Sequence, residues 1–98
     1  MRSSVTEIVL EGAGWQTAED FYAALLRALD APAWHGHNLD ALNDSIAHGG
    51  VNGINPPLRI TIRGTAGMNP AAAEMVRRFG GLVEDMKAAG VEVDLNLR

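Results

Sequence analysis

The chain has 98 residues, of which 47% are hydrophobic, and a formal net charge of −4. This length and apolar content predict one globular domain over residues 1–98 and leave little room for a second hydrophobic core. The absence of cysteine excludes a disulfide scaffold, a cysteine-ligated metal or iron–sulfur site, and thiol chemistry.

The N-terminal residues contain no apolar run of the length that a signal peptide or a membrane span needs, so we predict a cytoplasmic protein with no membrane partner. Residues 5–10 are rich in β-branched side chains and stop at a glycine turn, which predicts a first strand. Thr17 stands three residues before Asp20, as in a helix capping box, and apolar residues then follow at helical spacing. This pattern predicts a first helix over residues 18–29.

A second helix is predicted after a loop over residues 32–37, because Asn38 is a good N-cap residue. Leu39, Leu42 and Ile46 form one apolar stripe along this helix. The neighbouring face is left for solvent or a partner, and it consists of Asp40, Asn43, Asp44 and Ala47.

The second half of the chain alternates strands with a long helix. Residues 58–63 and 91–97 alternate apolar with polar side chains, which is typical of strands with one buried face. Between them, a helix is predicted over residues 70–89, with proline at its first position. Because right-handed crossovers place the helices on one side of a parallel sheet, we predict an α/β fold with two layers, a three-stranded parallel sheet and helices packed on one face.

Charge is unevenly distributed, since residues 28–58 contain no lysine or arginine but carry three aspartates and all three histidines. The net negative charge argues against direct nucleic-acid binding, which needs clustered cations. No motif places a base beside Ser45, so nucleophilic catalysis has no support. A metal site is one interpretation of this segment, and a solvated or partner-facing acidic surface is the other; the metal ligands would be His35, His37, His48, Asp40 and Asp44.

Residues 31–44 carry a resemblance to a known family. The run Gly36-His37-Asn38-Leu39-Asp40-Ala41-Leu42 joins a loop, a helix cap and an acidic face, and it resembles the barstar family of intracellular ribonuclease inhibitors. The order of elements over residues 5–97 is compatible with that family. The resemblance implies a small parallel sheet with helices on one side, and a second helix whose acidic face and preceding loop plug the active site of a ribonuclease.

The resemblance also implies which residues contact the partner. Asp44 matches the aspartate that enters the phosphate-binding pocket of the ribonuclease, and Asp40 matches the carboxylate one turn earlier. Trp34 matches an aromatic residue that packs on a catalytic histidine of the ribonuclease; the alternative is that Trp34 lies in the core. Asp85 matches a glutamate at the edge of the interface. The partner-binding residues predicted in this way are Trp34, Gly36, Asn38, Leu39, Asp40, Asn43, Asp44, Ala47, His48 and Asp85.

Departures from the family pattern leave the identity of the ribonuclease open, since Asn43 and Gly49 stand where the family has tryptophan and His35 where it has tyrosine. We predict a protein without catalytic activity or cofactor that is monomeric when free. Its predicted partner is a secreted or toxin-type ribonuclease with a basic cleft. Two alternatives remain: a regulatory module that binds another basic protein, and a small metal-dependent hydrolase that uses His35, His37, Asp40 and Asp44.

Overall fold

The computed structural model describes residues 4–98. The strands are β1 (Thr6–Glu11), β2 (Leu58–Arg63) and β3 (Val93–Leu97), and the helices are α1 (Ala18–Ala28), α2 (Leu39–His48) and α3 (Pro70–Ala88). All six elements lie where the sequence predicts them, although β3 begins two residues later than predicted. A short 3₁₀ helix, Thr65–Gly67, was not predicted. Among the described residues, no helix combines the length and the apolar character needed to cross a membrane.

The three strands form one parallel sheet in the order β1-β2-β3. In the central strand, Leu58, Ile60 and Ile62 are buried on the helix side, whereas Arg59 and Arg63 are exposed on the opposite face. α1 contacts β1, α3 contacts β3, and the helices also contact one another, with α3 touching both α1 and α2. The predicted α/β fold, with a three-stranded parallel sheet and helices packed on one face, is therefore confirmed.

Aromatic side chains join the helices into a common core. The ring of Phe21 in α1 lies 5.2 Å from that of Phe79 in α3 and 5.9 Å from that of Trp15. Leu42 and Ile46, two members of the predicted apolar stripe of α2, are also buried in this core. Because the stripe fixes the rotation of α2 about its axis, the neighbouring polar face of this helix is turned outward.

Two loops flank α2, and the backbone ties them together. The N–H of Gly53 donates to the carbonyl of Asp30 at 2.9 Å, and the N–H of Ile54 donates to the carbonyl of Leu29 at 3.0 Å. A Cβ built on Gly53 would lie 2.2 Å from the carboxylate of Asp30, so only glycine fits at this crossing. The loop before α2 and the loop after it consequently lie side by side at one end of the helix layer.

Candidate functional site

The acidic face of α2 carries two exposed carboxylates that form no ion pair with a described side chain. Asp40 and Asp44 lie one turn apart on this helix, and both side chains are exposed. No ion pair among residues 4–98 includes either carboxylate. Because the sequence contains no lysine or arginine between residues 28 and 58, the segment around α2 supplies no cation of its own. This face is suited to a partner that brings positive charge.

Exposed apolar side chains border the acidic face. Trp34, in the loop before α2, is 75% exposed, and Val51, in the loop after α2, is 38% exposed. The alternative that Trp34 belongs to the core is therefore wrong; Trp15 is the buried tryptophan. Together with the acidic face these residues enclose an open cavity of about 150 Å³, which is lined by Trp34, His35, Gly36, Ala41, Asp44, Ser45 and Val51.

This cavity combines aromatic and aliphatic walls with one carboxylate, that of Asp44. An aromatic face and a carboxylate both attract a cationic or protonated aromatic side chain, and exclusion of water by the apolar walls strengthens the attraction. Val51 was not predicted as a site residue because it stands alone in a loop without periodicity. Only the folding of that loop beside Trp34 brings it to the site.

Gly36 and Asn38 shape the entry to α2. The Asn38 side chain accepts a hydrogen bond from the N–H of Ala41 at 2.8 Å, which confirms the predicted N-cap. A Cβ built on Gly36 would lie 2.9 Å from Nδ2 of Asn38 and 3.2 Å from Cβ of Ala41. A larger residue at position 36 would therefore push against the cap, which explains the glycine in the motif.

His37 anchors the same loop to α1. Its Nδ1 contacts the Glu19 carboxylate, and its ring stacks on Tyr22 with the centroids 6.0 Å apart. Burial against the protein raises the pKa of the Tyr22 hydroxyl. His37 thus engages Nδ1 and its ring with two residues of α1 rather than with the aspartates of α2.

His35 is buried, with 5% exposure, and its ring faces inward. Its Nε2 lies 2.8 Å from the Ser45 hydroxyl and its Nδ1 lies 2.8 Å from the Gly36 carbonyl. No sequence motif indicates this pair, because it is the fold that brings together a loop residue and a helix residue ten positions apart. Neither ring nitrogen contacts a carboxylate, however, and Ser45 is only 2% exposed.

The metal hypothesis finds no geometric basis in the structure. His35 and His37 engage partners on different helices, His35 with Ser45 of α2 and His37 with Glu19 of α1. Within the described part of the chain, no group of three or more histidine, aspartate or glutamate side chains is placed to hold a metal ion.

The remaining predicted partner-binding residues lie along α2 and α3. Leu39, Asn43 and Ala47 are half-buried on α2, and His48 is exposed at its last position. Asp85 is exposed on α3, the helix against which α2 packs. Their role in binding stays a prediction.

Comparison with known families gives an independent result. The sequence profile of the family described as Barstar (barnase inhibitor) matches residues 5–97, nearly the whole chain. The chain belongs to the barstar family. No individual curated protein matches it. Barstar-family proteins are inhibitors rather than enzymes, so the prediction that the chain has no catalytic activity is confirmed by its membership, and the hydrolase alternative is wrong.

Proposed function

We propose that this barstar-family protein is a cytoplasmic inhibitor of a barnase-type ribonuclease, and that it blocks the active site with α2 and the loop before it. The observation that carries the proposal is the pair of exposed, uncompensated carboxylates of Asp40 and Asp44 beside the cavity walled by Trp34 and Val51. The family match over residues 5–97 supports the same function.

The physical basis is the charge of a ribonuclease cleft. An enzyme that binds the phosphates of RNA holds cationic side chains there, and these attract a carboxylate in place of a phosphate. The acidic face attracts such a cleft at long range, and Asp44 pairs with its cations after water has been displaced at contact. The barnase–barstar complex is itself the reference case for this electrostatic effect.

Two expectations follow from this proposal, one about the partner and one about the inhibitor. A secreted or toxin-type ribonuclease with a basic cleft is the expected target, because a cell needs protection from such an enzyme before export or after uptake. The inhibitor contributes one compact surface made of α2 and its flanking loops, so we expect it to bind as a monomer.

Inhibition of barnase tests the proposal. Purified protein is titrated into barnase while cleavage of a fluorogenic RNA substrate is followed. The wild-type protein should abolish cleavage at equimolar concentration, Asp44→Asn should inhibit far less, and Glu11→Gln on β1 should inhibit like wild type. Glu11 is a matched control because it is an exposed acid on β1, an element that does not form the cavity. Full inhibition by Asp44→Asn would contradict the carboxylate mechanism.

A second experiment tests whether the protein inhibits a ribonuclease other than barnase. If barnase is not inhibited, the protein is immobilised and incubated with culture medium, and ribonuclease activity is measured before and after. Undiminished activity in both arms would contradict an inhibitor function and favour the alternative of a module that binds another basic protein.

A further inference from the structure

Three of the buried polar side chains lie at the candidate site, and two of them, His35 and Ser45, also line its cavity. His35, Ser45 and Asn52 are 5%, 2% and 5% exposed. They come from three different segments, namely the loop before α2, α2 itself and the loop after it. Ser45 joins them, because its hydroxyl oxygen lies 2.8 Å from Nε2 of His35 and accepts from Nδ2 of Asn52 at 3.1 Å.

The Gly36 carbonyl, at one end of this chain of hydrogen bonds, fixes the direction in which the bonds are donated. A carbonyl oxygen can only accept, so the 2.8 Å contact between Nδ1 of His35 and the Gly36 carbonyl requires the proton on Nδ1. In the neutral imidazole Nε2 is then an acceptor, and the Ser45 hydroxyl gives its single proton to this nitrogen at 2.8 Å rather than to the Leu42 carbonyl at 3.4 Å. Each group therefore donates to the next: the Asn52 amide donates to Ser45, Ser45 donates to His35, and His35 donates to the Gly36 carbonyl.

Each member of the chain is a sequence neighbour of a cavity wall. His35 lies between Trp34 and Gly36, and Ser45 follows Asp44. Asn52 follows Val51 in the same way. The hydrogen bonds between the three buried residues consequently fix the distances between Trp34, Asp44 and Val51 in the cavity wall.

Burial makes this arrangement specific. A buried polar group that loses its partner costs free energy, so the two loops are held in the arrangement that makes these hydrogen bonds. Oδ1 of Asn52 is the one atom of the three side chains that is buried without a hydrogen-bond partner among the described residues. Apolar residues of similar size would fill the same space without imposing that geometry. Two backbone bonds between the loops, from Gly53 to Asp30 and from Ile54 to Leu29, add to the connection at the far end.

From these observations we propose that the Asn52–Ser45–His35 chain positions the cavity walls before the partner arrives. The three residues are positioning residues that act through Trp34, Asp44 and Val51. The benefit for binding rests on the proposed function, whereas the ordering of the two loops is a property of the free protein and can be measured without a partner. By ordering the loops in advance, the chain lowers the entropy that binding would otherwise lose.

Hydrogen–deuterium exchange of the free protein tests the inference without any partner. Ser45→Ala removes the central hydroxyl and leaves a residue that favours helix. Exchange is followed at the hydrogen-bonded amides of His35 and Gly53, with amides of β2 as the global reference. We expect loop exchange about tenfold faster relative to β2, in line with loss of a buried hydrogen bond.

Ile46→Val is the matched control, because Ile46 is buried on the same helix outside the chain. It should lower global stability without changing the ratio of loop to β2 exchange. His35→Phe provides a second break of the chain that retains a buried ring. If the ratio rises equally in Ile46→Val, or stays at the wild-type value in both Ser45→Ala and His35→Phe, the inference is wrong.

Two further measurements separate positioning from simple stabilisation. Nitrogen-15 NMR of His35 should show a neutral ring protonated on Nδ1, and a ring protonated on Nε2 alone would contradict the chain. With barnase as the probe, Ser45→Ala should dissociate several-fold faster and Ile46→Val at the wild-type rate. Absence of wild-type binding to barnase would count against the proposed function for this enzyme, while the exchange experiment still decides the inference.

Discussion

Asp44 and Asp85 are both exposed carboxylates, yet they lie in different surroundings. Asp44 lines the cavity with Trp34 and Val51, whereas Asp85 lies on the outer surface of α3. A charge that becomes buried against cations at contact should matter much more than a charge at the edge, which stays hydrated.

We therefore expect Asp44→Ala to weaken binding to barnase by about 2 to 5 kcal/mol or more, mainly through faster dissociation, a range for which the barnase–barstar interface is itself an example. Asp85→Ala should change binding by less than about 1 kcal/mol, mainly through association at low salt. Isothermal titration and stopped-flow mixing at two salt concentrations measure both effects. If Asp44→Ala binds barnase with wild-type affinity, the Asp44 carboxylate does not pair with the cations of the ribonuclease cleft.

Gly36 provides a steric prediction at the same scale. An added Cβ would approach both Asn38 and Ala41, so Gly36→Ala should displace the cap and destabilise the protein by about 1 kcal/mol. Gly14→Ala is the matched control, because a Cβ there meets nothing within 4 Å. Urea unfolding of the two variants compares them; equal stabilities would show that the loop yields freely around position 36.

At the scale of elements, the start of α2 depends on one side chain. Asn38→Ala removes the hydrogen bond to the N–H of Ala41 and should lower the free energy of unfolding by about 1 kcal/mol. Asn43→Ala makes the same change inside the helix, where alanine is favoured, and should not destabilise. Thermal melting of both variants measures the contrast, and identical melting of Asn38→Ala and wild type would reject the cap.

The start of α1 should be sensitive to pH. The backbone N–H groups of Gln16 and Thr17 donate to the Asp20 carboxylate and lower its pKa below the ordinary value of 3.8. Since the pKa is lower in the folded state, the stabilisation is complete above the unfolded-state pKa and is lost as the pH falls through the folded-state pKa.

Asp20→Asn removes this dependence, because an amide does not titrate. The stability difference between wild type and Asp20→Asn should therefore be constant above about pH 5 and shrink as the pH falls below about 4. Denaturant unfolding between these conditions measures the difference. A difference that is independent of pH would mean that the capping box does not depend on the ionised form.

The elements themselves were largely readable from the sequence. Alternation in residues 58–63, the caps at Thr17 and Asn38 and the proline at the first position of α3 are local signals, and local signals determine where helices and strands begin. The start of β3 was placed too early, because Val91 continues the apolar alternation although its N–H bonds back to Met86 at the end of α3. This hydrogen bond to α3 therefore determines where β3 begins.

The site was less readable than the fold. Asp40, Asp44 and Trp34 were identified through the family resemblance, whereas Val51 and Asn52 join the site only because the loop after α2 folds beside the loop before it. No spacing along the chain signals a contact such as that between His35 and Ser45. Side chains in irregular loops are placed by tertiary packing, which pattern analysis of one sequence does not contain.

For the molecule as a whole, the shared core predicts one cooperative folding unit. β2 pairs with both other strands, and Phe21 of α1 packs on Phe79 of α3. Amides of the three strands and of α3 should therefore exchange with one common free energy, equal to that of global unfolding. Hydrogen exchange measured with increasing urea tests this, and separate unfolding of the two halves of the chain would refute the single domain.

The order β1-β2-β3 also bears on self-association, because no described strand pairs with the outer edge of β1 or of β3. Open strand edges invite aggregation by strand addition. β1 carries Glu7 and Glu11 on either side of the exposed Val9, and β3 carries Asp94. A second molecule docking edge to edge would bring these carboxylates together, and their repulsion disfavours growth of the sheet, although Arg63 and Lys87 pair with Glu11 and Asp94 and reduce it.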